Sequence, residues 1–414
     1  QLDNINYRGK IYNLDIELYD LFKLQTFKGY ITTDTVFLNE RPYGSLIGNM
    51  EMDNLQSALW WRLFLRDKDI YQLKIHGAWD QSSEKEYVDA ELGKIRPGEF
   101  QTMVSASNFP MHVLQLFVPG ISKTSGKINA AVRLGGPFDR IGMNGTANVN
   151  GQFQLDYLKA MFYIRDQEIR LTEYQISATG DTLWDASQRN MALIRGGLRH
   201  DHFNNWRLDC DIASSNDKFM ILNTLREDNE MYYGQGIGKF EAKFTGSFEK
   251  TNIYIDATTG EATRLYIPLY SNSDIQDTSF ITFKQKNDTL AVKQRDRKRF
   301  ILEDVKGLNL EMNLTIKDNA EVQLIFDEQS GDIVKGRGEG DIRLVINREG
   351  EFKMYGTYFI REGEYLFTLL NWINKPFTVA NGGSINWYGD PYSAQMLHIL
   401  KIRRCIIFCA MNWY

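Results

Sequence analysis

The stretch REGEFKMYGTYFIREGEYLF, residues 348–367, decides the fold. It says R-E-G-E-aromatic twice, at residues 348–352 and again at residues 361–365. Between the copies Phe352, Met354, Gly356, Tyr358 and Ile360 fall on every second residue, with Glu351, Lys353, Tyr355 and Thr357 interleaved. A period of two is a strand with one buried face. Each R-E-G stands where a tight turn is expected, because Gly350 and Gly363 take positive φ at little cost while their charged neighbours stay in water. The stretch reads strand, turn, strand, turn, with at least one of the two glycines at positive φ.

The same alternation recurs along the chain. Leu308, Leu310, Met312, Leu314 and Ile316 alternate with polar residues, Lys317, Asp318 and Asn319 supply a turn, and Val322, Leu324 and Phe326 alternate again, which predicts a hairpin. Ile342, Leu344 and Ile346 continue the pattern, as do Ile128, Ala130, Val132 and Leu134 earlier, and Phe240, Ala242, Phe244, Gly246 and Phe248 ahead of Ile253, Ile255 and Ala257. Helices are few: one turn or two over residues 112–120, and residues 217–228 with helical spacing at Phe219, Leu222 and Leu225. Gly336, Gly338 and Gly340 form G-x-G-x-G, but a strand follows rather than a helix. The triplet therefore reads as a bend or bulge entering the strand at residues 341–346, not as a phosphate cradle.

Composition agrees with long sheets. Of 414 residues 43% are hydrophobic and 13% aromatic, while Pro occurs only 8 times. Proline removes a ladder donor and aromatics fit pleated surfaces. The net charge of −5, with acids and bases well mixed, leaves no broad basic field, so no nucleic-acid partner is expected. Cys210, Cys405 and Cys409 are too few for a disulfide scaffold and form no C-x-x-C pair for zinc. The opening residues carry neither an initiating Met nor a signal-like segment, and the chain reads as a piece of a longer protein.

At about thirteen residues per strand and turn the chain holds roughly 30 strands, more than a sandwich uses. The expected fold is all-β: an elongated, curled, antiparallel-rich sheet, a β-taco or groove with an apolar concave face. Leu308, Leu310, Met312, Leu314, Ile316, Val322, Leu324, Phe326, Ile342, Leu344 and Ile346 are expected to line that groove. A β body over residues 1–283 is expected to pass through a charged loop at 284–300 to a C-terminal β section at 301–399. The sequence LKIRRCIIFCAMNWY loses the alternation and marks residues 400–414 as an atypical tail.

Catalytic constellations are weak. His200 and His202 flank Asp201 and would share a strand face, yet no third metal ligand accompanies them, and the flanking residues read as a polar turn. Glu339 and Asp341 have the spacing of a carboxylate pair on one strand face, and solvated edge charges explain them better. Neither enzymatic activity nor a cofactor or metal is expected.

Gly356, Tyr358, Gly363, Tyr365 and Phe367 form a G-x-Y-x-[IF]-x-x-G-x-Y-x-F core, a K-x-F follows at Phe377, and Trp387, Gly389, Asp390 and Pro391 stand in a G-x-I-x-W-x-G-D-P-x-x-A block. These features resemble the C-terminal domain of the TamB family of translocation and assembly proteins, AsmA-like bridges for lipid transfer, in a version like that of Bacteroidetes. Weaker likenesses extend the resemblance over most of residues 88–397. It implies a periplasmic protein that spans from inner to outer membrane in its full-length form. The family begins with an inner-membrane anchor upstream, and its C-terminal end meets an outer-membrane barrel partner of the BamA-like superfamily.

The expected function is therefore a non-enzymatic bridge whose groove carries phospholipid acyl chains, assists assembly of outer-membrane proteins, or does both. A secreted or surface β-solenoid acting as scaffold or adhesin is the alternative. A filled solenoid needs matched coils, whereas the inward positions here vary irregularly from Gly and Ala to Phe. A polysaccharide-processing enzyme would need carboxylates and aromatics clustered on one outer face, which the sequence does not display.

Overall fold

The computed structural model describes residues 7–268 and 307–412 except 19–26, 54–56, 69, 83–85, 117, 119, 157, 229–231, 328–331, 370–372, 380, 392–393 and 403–404. The expected loop at 284–300 lies outside the described residues. The chain divides into two compact units, one of Gln1–Ser215 with Thr245–Phe248, the other of Asn216–Phe244 with Glu249–Tyr414. The division thus falls far upstream of the charged segment. Both units are β throughout, as the alternation requires.

In the first unit β1 (Tyr7–Arg8) and β2 (Ile11–Leu18) lie end to end against β3 (Phe27–Leu38). From there the sheet advances one strand at a time through β4 (Arg41–Asp53), β5 (Ala58–Asp67) and β6 (Ile70–Asp80). The small separate hairpin of β7 (Tyr87–Asp89) and β8 (Gly93–Ile95) interrupts the order. The sheet resumes with β9 (Phe100–Pro110), β10 (Ile121–Gly136), β11 (Gly142–Leu155) and β12 (Ala160–Leu171), and ends with β13 (Gln175–Trp184), β14 (Met191–Asp201) and β15 (Asn204–Ser214). Every one of these pairings among the described residues is antiparallel, so this is a meander and not the parallel coils of a solenoid. Two-residue turns with both φ positive close it, as at Asn39–Glu40 (47° and 65°) and His202–Phe203 (46° and 67°). Of the His200-Asp201-His202 cluster, His202 is in the turn its polar neighbours suggested, while His200 and Asp201 end β14. The short helix expected near residue 112 is a 3-10 turn, Met111–Leu116.

The second unit opens with β16 (Phe219–Thr224), β17 (Tyr233–Ser247), β18 (Lys250–Thr259) and β19 (Arg264–Pro268). The helix expected over residues 217–228 is instead β16 followed by a single 3-10 turn, Arg226–Asp228. Its register shifts between Met220 and Leu222, and that bulge brings Phe219 and Leu222 to the same buried face. A bulged strand mimics helical spacing over three residues.

After β20 (Asn309–Ile316) and β21 (Glu321–Asp327) comes the long β22 (Asp332–Ile346). β20 and β21 do not form the expected hairpin. Both pair antiparallel with β22, Ile316 opposite Gly340 and Glu321 opposite Arg337, so they run end to end along one side of it. Lys317 to Ala320 leave this line and return to it, with the Ala320 N–H donating to the Lys317 carbonyl at 3.0 Å. A polar triplet marks a turn without saying whether the chain reverses. β18 and β19 lie parallel to β20 and β21 on their other side.

β23 (Phe352–Leu369) continues the sheet, followed by β24 (Ile373–Val379), β25 (Gly383–Gly389), β26 (Ala394–Ile402) and β27 (Cys405–Asn412). The two R-E-G phrases part company here. Gly350, at φ 82°, turns β22 into β23. Gly363 lies inside β23, where the register shift opposite Arg337 and Gly338 makes Arg361 the extra residue of a bulge. The bulge expected at the glycine triplet falls instead on β23 opposite Arg337 and Gly338, while the triplet itself lies inside the unbroken β22. The tail that loses the alternation still forms β27, antiparallel to β26, since its Ile- and Phe-rich run suits a strand even without alternation.

Candidate functional site

Register shows which side chains share a face. In the first unit one row crosses twelve strands without a polar member: Leu14, Ile31, Gly48, Leu63, Ile75, Val104, Val132, Gly145, Leu171, Ile176, Leu198 and Leu208. A parallel row runs from Leu46 through Leu65, Leu73, Ala106, Ala130, Ala147, Ile169, Ala178 and Gly196 to Cys210. None of the side chains in the first row is fully buried: Leu14 is 56% exposed and the other nine are half-buried. A filled core buries its members, so these residues form a continuous apolar surface.

Aromatic side chains pack near the strand ends on both sides of this face. At one end Tyr43, Leu65 and Phe109 pack together, and His112 from the 3-10 turn lays its ring 4.7 Å from that of Tyr43. Burial and the neighbouring Arg41 hold the His112 imidazole below its ordinary pKa. At the other end Phe138 stacks on Phe100 at 4.7 Å and meets Trp79 edge-on. Cys210, at the last strand of the second row, has its thiol pushed up to about 11 by burial and by Asp211 and Asp209, so it is a neutral apolar group at physiological pH.

In the second unit register places nine of the eleven residues named for the groove on one face of the sheet. Leu310, Met312, Leu314 and Ile316 face Ile346, Leu344, Ile342 and Gly340, and Val322 and Leu324 join them opposite Gly336 and Val334. Their surroundings differ from those in the first unit. Ile316, Val322, Leu324 and Ile342 belong to one packed cluster with Met354, Tyr358, Tyr365, Ile385 and Trp387, and Leu324 is only 1% exposed. Ile346 is buried as well, while Leu308, Leu310, Met312, Leu314 and Leu344 are half-buried. Phe326 sits at a bulge, its side chain outside the described residues.

The motif residues build that packing. Tyr358 lies over Gly338, where an added Cβ would come 2.9 Å from its ring, and its hydroxyl donates to the Gly336 carbonyl at 3.3 Å. Desolvation holds the Tyr358 hydroxyl well above the usual tyrosine pKa. Gly363 faces Gly336, and its Cβ would meet the Lys335 carbonyl oxygen at 2.6 Å. Gly356, at φ 123°, faces Trp387, whose indole N–H donates to the Pro391 carbonyl at 3.2 Å and ties down the turn at Asp390. Tyr365 and Phe377 stack across β23 and β24 at 6.3 Å, Gly389 (φ 131°) ends β25, and the Phe367 side chain lies outside the described residues.

Sequence reading missed the first-unit rows. Their signal was present in Ile128, Ala130, Val132 and Leu134, but alternation alone does not tell an open face from a packed one.

Polar candidates are accounted for structurally. His200 is buried between Phe203 and Trp206 and accepts the Phe203 N–H at 3.1 Å. Both Glu339 oxygens take the Arg361 guanidinium at 2.8 Å, and Asp341 accepts the Thr315 hydroxyl at 2.8 Å. A cavity of about 220 Å³ on the polar face of β13 to β15 is lined by Arg195, Arg199, Asp209 and Asp211, whose opposite charges balance. No group of three or more metal-ligating side chains occurs among the described residues.

A nearly all-β chain with a large curled sheet, which carries a continuous apolar face in its first unit, is of the β-groove class. The chain belongs to the TamB C-terminal domain family, whose match covers residues 180–405, more than half of its length. Membership carries a TamB-like role in transport and assembly at the cell envelope. Among curated proteins and solved structures, none matches the chain.

Proposed function

We propose that this protein is a non-enzymatic periplasmic conduit whose apolar faces shelter phospholipid acyl chains in transit between inner and outer membranes, with an outer-membrane barrel of the BamA-like superfamily as its C-terminal partner. The observation that supports this reading is the twelve-strand row in the first unit. An acyl chain needs apolar contact without hydrogen bonding, and a surface of Leu, Ile, Val and Gly supplies nothing else. Half-buried aliphatic residues also retain apolar area that a bound chain would remove from water, at about 25 cal/mol per Å².

Photo-crosslinking tests it. A benzophenone amino acid at Val104 or Val132 in the full chain, expressed in a Gram-negative envelope, should yield phospholipid adducts by mass spectrometry, while one at Lys74 on the opposite face should not. Adducts at neither face, or equally at both, would defeat the conduit. Crosslinks at Val132 to unfolded outer-membrane proteins without lipid would favour an assembly surface instead.

A further inference from the structure

On the polar face of the C-terminal sheet, one stretch beside the charged β22 carries no charge. β22 points Lys335, Arg337, Glu339, Asp341 and Arg343 outward. The strands beyond it differ. Between Lys353 and Arg361, β23 presents Tyr355, Thr357 and Phe359; β25 presents Ser384, Asn386 and Tyr388; β26 presents Gln395 and Leu397. None of these eight is charged. Register sets Tyr355 beside Tyr388, Thr357 beside Asn386 and Gln395, and Phe359 beside Ser384 and Leu397. Tyr388 is 69% exposed and Phe359 52%, with Leu397 and Tyr355 also open to solvent. The Thr357 hydroxyl donates to Asn386 Oδ1 at 2.6 Å and fixes that amide between the rings.

We propose that this patch binds an uncharged glycan chain. A sugar ring offers an apolar C–H face and a rim of hydroxyls, and the patch offers the complement of both. Exposed aromatic rings on a rigid sheet stack against the C–H faces with little entropy to lose. Asn386, Gln395 and Ser384 carry the donors and acceptors that hydroxyls need. A hydrocarbon partner would cover the exposed Gln395 amide without pairing it, and an anionic one would find no cation among the eight residues. The two aromatic rows, four residues apart along β23, stand about 13 Å from one another, which gives an extended oligomer two footholds. The patch contains no carboxylate, so it binds without cleaving. It lies opposite the apolar face and does not depend on the conduit.

Isothermal titration of the full chain with two uncharged probes, the hexamers of N-acetylglucosamine and of β-1,4-linked glucose, tests the assignment. At least one should bind saturably. Tyr355→Ala with Tyr388→Ala should weaken it by roughly tenfold or more, the loss of two stacking contacts. Tyr355→Phe with Tyr388→Trp should keep binding within about threefold, and Arg343→Ala on the charged strand within about twofold. Near-UV circular dichroism confirms that each variant folds. Binding of neither hexamer, or binding indifferent to the double alanine variant, overturns the proposal. Binding of phosphatidylcholine vesicles that the same double variant abolishes, without hexamer binding, makes the patch a membrane face and overturns it too.

Discussion

The apolar faces of the two units obey one alternation rule and end in different states. In the first unit the rows through Val104 and Ala106 contain Leu, Ile, Val, Ala and Gly and one Cys, and their members are mostly half-buried. In the second, Tyr358, Tyr365 and Trp387 rise from the same kind of face and pack with Leu324 and Ile342 into a closed cluster. Side-chain volume makes the difference. Aromatics carry enough bulk to fill a curled sheet, whereas branched aliphatics on a broad meander leave its face uncovered. The TamB-like motif residues therefore belong mainly to the closed region, and the open region lies upstream of most of them.

A charge placed on each face gives the largest contrast. Leu324→Arg puts an unpaired guanidinium into the packed cluster and should cost about 4 kcal/mol or more, enough to unfold the second unit. Val132→Arg can run its aliphatic stem along the face and reach water, so about 1 kcal/mol is expected. Urea unfolding monitored by regional hydrogen exchange measures both. Equal losses would mean that the two faces are equally dry, and the comparison would fail.

The glycine seat of Tyr358 sharpens the closed side. A Cβ on Gly338 would lie 2.0 Å from the Phe359 carbonyl oxygen as well as against the tyrosine ring. Gly338→Ala should therefore destabilise by about 2–3 kcal/mol through forced repacking, while Tyr358→Phe loses only the bond to Gly336, about 1 kcal/mol. Thermal melts of the two variants should differ in that order. A neutral Gly338→Ala would show that the ring has room to move and that the cluster is looser than its burial implies.

Much of this was legible in the sequence, and the failures share a cause. The all-β class, the turn at Gly350 and the common face of Leu310, Leu324 and Leu344 follow from local alternation and turn chemistry. The end-to-end course of β20 and β21, the bulged β16 and the bulge at Arg361 do not, because each depends on what a distant strand offers as a partner. The second R-E-G looks identical to the first in composition, yet a backbone approach at Lys335 decides its role. Gly350→Ala and Gly363→Ala probe this. The first should cost about 1 kcal/mol for forcing a side chain into positive φ. The second should cost about 2 kcal/mol, because its Cβ meets backbone. If Gly363→Ala is the milder of the two, the second glycine is free and the bulge tolerates a side chain.

The smallest expected effect is a dependence on pH confined to the first unit, which holds His76, His112, His200 and His202. Burial lowers the pKa of His112, with Arg41 adding to it, and burial followed by His202 lowers that of His200 against the opposing pull of Thr172 and Asp201. Burial leaves little water to solvate an imidazolium at either site, which is why the charged form is disfavoured there. With the folded pKa below the unfolded value of 6.5, the unfolded chain takes up protons first as pH falls. The stability these two groups contribute is therefore complete above pH 6.5 and lost as pH drops from there through the folded values. Hydrogen exchange at about pH 7.5 and about pH 5.5, corrected for intrinsic rates, should show β13 to β15 and the 3-10 turn loosening in acid. His112→Gln with His200→Gln should flatten that response and leave the C-terminal cluster unchanged. A double variant that keeps the full acid response would assign it to other groups and remove pH as a way of telling the two units apart.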